Sequence, residues 1–198
     1  MKVEFIIPTY KSYSNLITMI GSIMSQTSPD WILTIISDGD DDFINHDQIK
    51  LIRQINDPRI DYRRIAGPNN DWGHTARNYG LDKAKGDWIV MSASDNYYVP
   101  TFVEHIIHEA QNPDVSLIYC DFIHNLAYGG YRVIQSQIKA GHIDIGNVAY
   151  KRELIGDARL DKKEYTADFW FAHWYNNLHN NVGGKIARKI DKVLYVHN

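Results

Sequence analysis

The sequence predicts an α/β domain: a mainly parallel, doubly wound sheet flanked by helices, with a small antiparallel addition in the C-terminal half. Two patterns carry that expectation. Short apolar runs, each stopped by Pro, Gly, Asp or Ser, read as buried strands, and between them apolar residues recur at helical spacing. Strand and helix alternating in this order build a parallel sheet through helical crossovers.

The elements follow in order. Residues 3–7 form a first strand stopped by Pro8. Ser12 or Ser14 caps a helix whose apolar positions Leu16, Ile20, Ile23 and Met24 share a face. Beyond Pro29, residues 31–36 make a second strand that ends at Ser37-Asp38-Gly39. Leu51, Ile52 and Ile55 give a helix over 48–55 its apolar side, and a strand over 60–63 precedes the turn-rich Gly67-Pro68-Asn69-Asn70. A helix over 74–85, closed by Gly86, leads into a buried strand over 87–91. In the second half, Pro100 or Thr101 opens a helix to about residue 111, residues 116–120 make a strand, and Gly129-Gly130 marks a hairpin tip. A strand over 143–150, a helix over 165–176 and two closing strands, 185–190 and 193–196, complete the chain. No repeat, low-complexity tract or linker divides it, so one domain over 1–198 is expected.

Composition narrows the function. A chain of 198 residues with a hydrophobic share of 44% buries a core without crosslinks. The net charge of −3 supplies no basic field, so nucleic acid is not an expected partner and any phosphate must be held locally. Cys120 is the single cysteine, which rules out an intrachain disulfide and favours a cytoplasmic setting. No apolar run is long enough for an integral membrane segment, and no targeting or lipidation motif is visible.

In an open parallel sheet, ligands bind beyond the carboxyl ends of the strands. Here those ends carry Pro8-Thr9-Tyr10, Ser37-Asp38-Gly39-Asp40 and Ser92-Ala93-Ser94-Asp95-Asn96. A carboxylate can accept from a nucleobase N–H, and a hard cation prefers carboxylate oxygen, so these ends suit a nucleotide and a bound metal ion. No G-x-G-x-x-G follows the first strand and no G-x-x-x-x-G-K-[ST] occurs anywhere, which argues against a dinucleotide oxidoreductase and a P-loop NTPase.

The chain resembles the family 2 glycosyltransferases, which have the GT-A fold. Residues 3–10 resemble the opening strand and its Pro-Thr-Tyr turn, and Ile35-Ile36-Ser37-Asp38-Gly39 the strand end with its base-contacting aspartate. Gly73-His74-Thr75-Ala76-Arg77-Asn78-Tyr79-Gly80-Leu81, followed by Ala84-Lys85-Gly86-Asp87-Trp88-Ile89, is the closest match. Asp95 falls on the last aspartate of the family's DxD motif, Asp168 on its catalytic base, and His197 on its metal-binding histidine. Two positions depart from the pattern: Ala93 stands at the first DxD position and Ala167 replaces the glutamate that precedes the base.

The resemblance implies an inverting, nucleotide-sugar-dependent enzyme, UDP favoured, using Mn2+ or Mg2+ in polysaccharide or glycoconjugate synthesis. Residues 1–100 would form the nucleotide-binding half and 101–198 the half that binds a carbohydrate or glycoconjugate acceptor. Asp168 would be the base, with Asp95 and His197 as metal ligands. Pro8, Thr9, Tyr10, Asp38, Arg77, Ser94 and Asp95 would bind the nucleotide, Tyr10 by stacking. Asn96, Trp170 and Asn147 are candidates for the sugar or acceptor.

Plainer readings stand beside these. Asp40, Asp41 and Asp42 suit a solvated loop, and Asp95-Asn96 suits a turn before Pro100. Arg77 either faces solvent in a salt bridge or contacts a phosphate. Asp168 could cap a helix, and His197, next to the last residue, could fray. Trp170 and Trp174 read more readily as packing residues, Gly146-Asn147 as a bulge, and His142 and Asp144 as part of the acceptor region. Two other functions share these features: a sugar-phosphate nucleotidyltransferase, and a degenerate domain that binds a nucleotide sugar without turnover.

Overall fold

The computed structural model describes residues 1–39, 46–54, 56–126 and 129–198, without the side chains of Gln48, Leu51 and Ile52. Asp40, Asp41, Asp42 and Ile55 lie outside the described residues. The strands are β1 (Val3–Thr9), β2 (Trp31–Asp38), β3 (Ile60–Ile65), β4 (Trp88–Met91), β5 (Tyr97–Tyr98), β6 (Val115–Asn125), β7 (Tyr131–Ile134), β8 (Val148–Lys151) and β9 (Ile186–His197). The helices are α1 (Tyr13–Met24), α2 (Asp47–Gln54), α3 (His74–Lys83), α4 (Phe102–Glu109) and α5 (Ala167–Tyr175). Among the described residues no helix is long and apolar enough to cross a membrane.

One sheet orders the strands β3-β2-β1-β4-β8-β6-β9-β5, with β7 paired to β6. The first four are mutually parallel. Next, β8 runs antiparallel to both β4 and β6, whereas β9 returns parallel to β6. The expected parallel half and mixed addition are both present.

Every residue of β1 is buried, because helices cover both faces of the sheet. Successive side chains point to opposite faces. Phe5 and Ile7 join α1 and α4 in one core with Leu16, Ile20, Phe102 and Ile106. Ile6 joins Ala76, Ile89, Tyr150 and Phe171 in the other, beneath α3 and α5. Glu4 is an acid inside this apolar strand, and its carboxylate explains itself by its donors. It accepts from Thr34 Oγ1 (2.8 Å) and from the backbone N–H groups of Lys85 (2.6 Å) and Gly86 (2.7 Å), fixing the turn into β4.

α3 lies against the sheet at Gly80, where an added Cβ would stand 2.4 Å from Ile6 Cγ2. Gly80→Ala is therefore expected to destabilise the fold by about 1–3 kcal/mol of overpacking. That outweighs the roughly 0.5–1 kcal/mol that Ala normally gains inside a helix. A urea midpoint at or above that of the wild type would contradict the close approach.

The second half departs from expectation in three places. The two closing strands are one, β9, because Asp191-Lys192 bulges out of the ladder instead of ending it: Cys120 faces Ile190 but Asp121 faces Val193. Lys189 Nζ bridges Asp121 (3.0 Å) and Asp191 (2.9 Å) at that bulge. The strand expected over 143–150 begins only at Val148, after a 3-10 turn at Ile145–Asn147. Finally, α5 winds on beyond Tyr175 as a π-helical segment, Asn176–Val182.

Candidate active site

The carboxyl ends of β1, β2 and β4 face a pocket of about 290 Å³ walled by Pro8, Thr9, Tyr10, Asp38, Ser94 and Asp95. Beside it opens a larger cleft of about 860 Å³ whose walls include Asp95, Asp144, Asp168, His197 and Trp170. The two share Trp72, Arg77, Ala93 and Asp95, so Asp95 stands at their junction. Residues distant in sequence thus line two neighbouring hollows, Asp38 the small one, Asp168 and His197 the large one, and Asp95 both.

In the small pocket, Asp38 is buried and already holds the 67–70 turn. It accepts from Asn69 Nδ2 (2.5 Å) and from the Asn69 N–H (3.2 Å). A carboxylate has about four acceptor sites, so capacity for a further donor remains. Thr9 Oγ1 and Asp71 Oδ1 are buried there without a partner among the described residues. Tyr10 is exposed, and the Lys11 ammonium lies over its ring, 5.2 Å from the centroid.

In the large cleft, His197 Nδ1 meets Asp144 Oδ2 at 2.8 Å, and the His197 ring stacks on His124 with centroids 4.6 Å apart. Asp144 also accepts from Tyr195 Oη (2.7 Å) and Gly146 N–H (2.9 Å). Burial raises the Asp144 pKa, but these donors and the His197 charge outweigh it and hold the group below its ordinary value. His197 shifts the other way: burial disfavours its charge, yet Asp144, with Asp95 and Asp168 behind it, raises its pKa overall. In the neutral tautomer with Nδ1–H directed at Asp144, Nε2 carries the lone pair. That is the arrangement by which a carboxylate orients a metal-binding imidazole. The terminal histidine is therefore anchored, not frayed.

Asp168 sits in the first turn of α5 and accepts from the Phe169 N–H at 2.7 Å. The cap position belongs to Thr166, so Asp168 is not the helix cap. Burial raises its pKa and the charge of Asp144 adds to the rise, against the Phe169 N–H and Arg77. A carboxylate with raised proton affinity in a cleft is suited to accept a proton. His74 Nε2, 3.2 Å from the Glu164 carbonyl, and Asn78, bonded at 2.9 and 2.8 Å to Leu160, tie the approach to α5 onto α3.

A family model described as glycosyl transferase family 2 matches residues 4–174. The chain belongs to this family. Among curated family relatives, an uncharacterized glycosyltransferase of Rickettsia felis is 25% identical over 138 residues, which is 68% of this chain and 20% of the relative. YibD of Escherichia coli is 28% identical over 120 residues, 61% of this chain and 33% of its own. Among solved structures, Staphylococcus aureus TarS 1–349 superposes with a TM-score of 0.80 at 18% identity, covering 100% of this chain and 60% of TarS 1–349. The mannosyltransferase PcManGT of Pyrobaculum calidifontis, solved with GDP-Man and Mn2+, gives 0.69 at 15% identity, over 99% of this chain and 56% of its own. These likenesses show the GT-A glycosyltransferase fold, and the chain spans only part of each relative's length.

Several assignments change against this family frame. Arg77 is buried instead of facing solvent, and it lines both hollows. Its Nε and Nη2 donate to the Ser92 carbonyl (3.0 and 2.9 Å) and its Nη1 to the Trp72 carbonyl (2.7 Å), fixing the two loops that flank Asp95. Asn96 is buried at the wall of the large cleft, where it donates to Tyr195 Oη (2.5 Å) and accepts from the Asn198 N–H (3.0 Å). Asn147 is fully buried, donating to the Cys120 carbonyl and Ser136 Oγ and accepting from the Asp144 N–H, so it contacts no ligand. Trp170 and Trp174 pack against Phe169 and Phe171 and yet remain 55% and 40% exposed. His142 does not line the cleft, but Asp144 does, and its pairing with His197 was invisible in a sequence where 53 residues separate them.

The two residues expected to hold a cation, Asp95 and His197, both line the larger cleft, and Asp95 has no side-chain hydrogen bond among the described residues. Among the described residues no three His, Cys, Asp or Glu stand together as a complete cation site. Asp95 and His197 would leave most of the coordination shell to phosphate oxygens and water, as Mg2+ and similar ions accept.

Proposed function

We propose that this domain transfers a sugar from a nucleoside diphosphate sugar, UDP-linked by preference, to an acceptor hydroxyl with inversion. The supporting observation is the position of Asp95 on the wall common to the nucleotide-sized pocket and the cleft that holds Asp168. The nucleoside lies in the small pocket, with Tyr10 on the base and Asp38 accepting its ring N–H. The diphosphate lies at the junction, and the donor sugar enters the cleft. When bound by Asp95 and His197, Mn2+ or Mg2+ neutralises the charge that builds on the departing diphosphate. Asp168 takes the proton of the acceptor hydroxyl as its oxygen attacks the anomeric carbon opposite the leaving group. A single displacement of that kind inverts the centre. The preference for UDP is supported by structures of TarS with UDP and with UDP-GlcNAc. On this reading, residues 1–100 hold the donor and 101–198 the acceptor, in polysaccharide or glycoconjugate synthesis.

A panel of UDP-sugars and GDP-Man, incubated with Mn2+ and with hydroxyl acceptors, tests the reading through release of UDP or GDP. Pyrophosphate release from UTP and a sugar phosphate would instead show a nucleotidyltransferase. The loop after β1, Pro8-Thr9-Tyr10-Lys11-Ser12, opposes that outcome, having one lysine and no glycine to cradle a triphosphate. Calorimetric binding of UDP without any turnover would show a binding module. Asp144→Ala, which frees the His197 ring, is expected to lower transfer and Mn2+-dependent UDP affinity by about 10–100-fold. Unchanged values of both would remove the orienting role.

A further inference from the structure

A second groove of about 600 Å³ runs along the outer side of α5, lined by Arg159, Asp161, Glu164, Trp170 and Trp174. Trp170 also walls the larger cleft, so the two hollows share that indole. The volume lies within the roughly 300–1,000 Å³ usual for ligand sites. We infer that this groove binds a neutral carbohydrate chain, holding acceptor sugar units remote from the reacting hydroxyl. The inference rests on the glycosyl-transfer reading above.

Three observations carry it. First, Trp170 and Trp174 are four residues apart on α5, hence on one face and about 6 Å apart along the axis. Both stay substantially exposed. An indole presents a broad apolar face, which the C–H face of a sugar ring covers well. Second, the rim offers acceptors. Asp161 Oδ1 is engaged by the Lys163 N–H, and Glu164 Oε1 by the Thr166 N–H and hydroxyl, while the other oxygen of each carboxylate has no donor among the described residues. Sugar hydroxyls are the donors such oxygens lack. Third, the groove has no disengaged cation. The guanidinium of Arg159 is held by Asp82 and by the Gly156 and Ala158 carbonyls. Two carboxylates and a neutralised arginine repel a phosphate- or sulfate-bearing chain, which fixes the expected ligand as uncharged. The same carboxylates would be costly to press against lipid.

Ligand-observed NMR and calorimetry test this on the wild type, Trp174→Ala and Trp174→Phe. The probes are hexasaccharides of β-1,4-glucose, α-1,4-glucose and β-1,4-N-acetylglucosamine, with a heparin hexasaccharide as the polyanion. UDP affinity in each sample reports the state of the donor pocket, and UDP-sugar hydrolysis reports turnover. At least one neutral hexasaccharide is expected to bind and the heparin fragment not to bind. Trp174→Ala should weaken binding about tenfold, the upper end of what one aromatic face contributes, and Trp174→Phe should stay within about threefold of the wild type. Binding that Trp174→Ala leaves unchanged overturns the assignment. Failure of every neutral hexasaccharide, with UDP-sugar hydrolysis intact, overturns the groove and leaves the transferase standing. Absence of both UDP binding and hydrolysis removes the transferase reading and the groove with it. Exposed Leu178 and Val182 extend the apolar stripe beyond the groove. Co-sedimentation with phosphatidylglycerol vesicles that Trp174→Ala abolishes, without saccharide binding, would therefore reassign the face to a membrane surface.

Discussion

Asp168→Asn is expected to lower sugar transfer by about 10²–10⁴-fold, the usual contribution of a positioned base, while UDP affinity stays close to that of the wild type. The isosteric amide keeps the contact near the Phe169 N–H but cannot take a proton. On the proposed reading UDP would bind across the other hollow, beyond Asp95, without requiring the Asp168 charge. The same residue sets the pH dependence. Its pKa is raised, first by burial and then by the charge of Asp144, so the acidic limb of kcat/KM should lie above the ordinary carboxylate range. The stability sign follows from the same shift. A carboxyl that binds its proton more tightly folded than unfolded favours the folded state below its unfolded pKa, and that contribution is lost as pH rises through the folded pKa. At neutral pH Asp168 is thus a destabilising charge, and Asp168→Asn should melt at or above the wild-type temperature while nearly inactive. A fully active Asp168→Asn would remove the base assignment.

The second large effect is expected at Asp95. Asp95→Ala should abolish the Mn2+ dependence of UDP binding in calorimetric titrations. Transfer should fall by at least about 10²-fold, as loss of several kcal/mol of charge stabilisation implies. With Ala93 at the first DxD position, no neighbouring carboxylate on that loop can substitute. Arg77 fixes the loop from beneath through the Ser92 carbonyl, so the variant should remain folded, which a thermal melt run beside the titration verifies. A metal response equal to that of the wild type would contradict the ligand role.

What could be read from the sequence follows a physical divide. β1, β2 and β4 are buried on both faces, so their mainly apolar runs, interrupted by Glu4 and Thr34, and the residues at their ends, Asp38 and Asp95, are local signals. The C-terminal half depends on partners far along the chain. Asp144 looks like any loop acid until His197 and Tyr195 are folded against it. Arg77 and Asn147 carry polar side chains that usually face solvent, and only the Ser92, Trp72 and Cys120 carbonyls they reach explain their burial. β9 was divided because the charged pair Asp191-Lys192 mimics a turn, whereas the backbone passes it as a bulge. Asp71, passed over in a turn-rich stretch, turns one oxygen to the Thr75 N–H and hydroxyl at the start of α3 and the other, unpartnered, inward. A preceding aspartate facing a helix's first threonine was its one local signal.

The central claim is spatial: the donor diphosphate and its cation sit where the two hollows meet, between Asp95 and His197, within reach of Asp168. Anomalous diffraction from a crystal soaked with UDP and Mn2+ tests it most directly. A manganese peak ligated by the Asp95 carboxylate and His197 Nε2, with the uracil beside Tyr10 and Asp38, is the expected result. Manganese bound away from this pair, or a diphosphate lying outside the junction, would contradict the account.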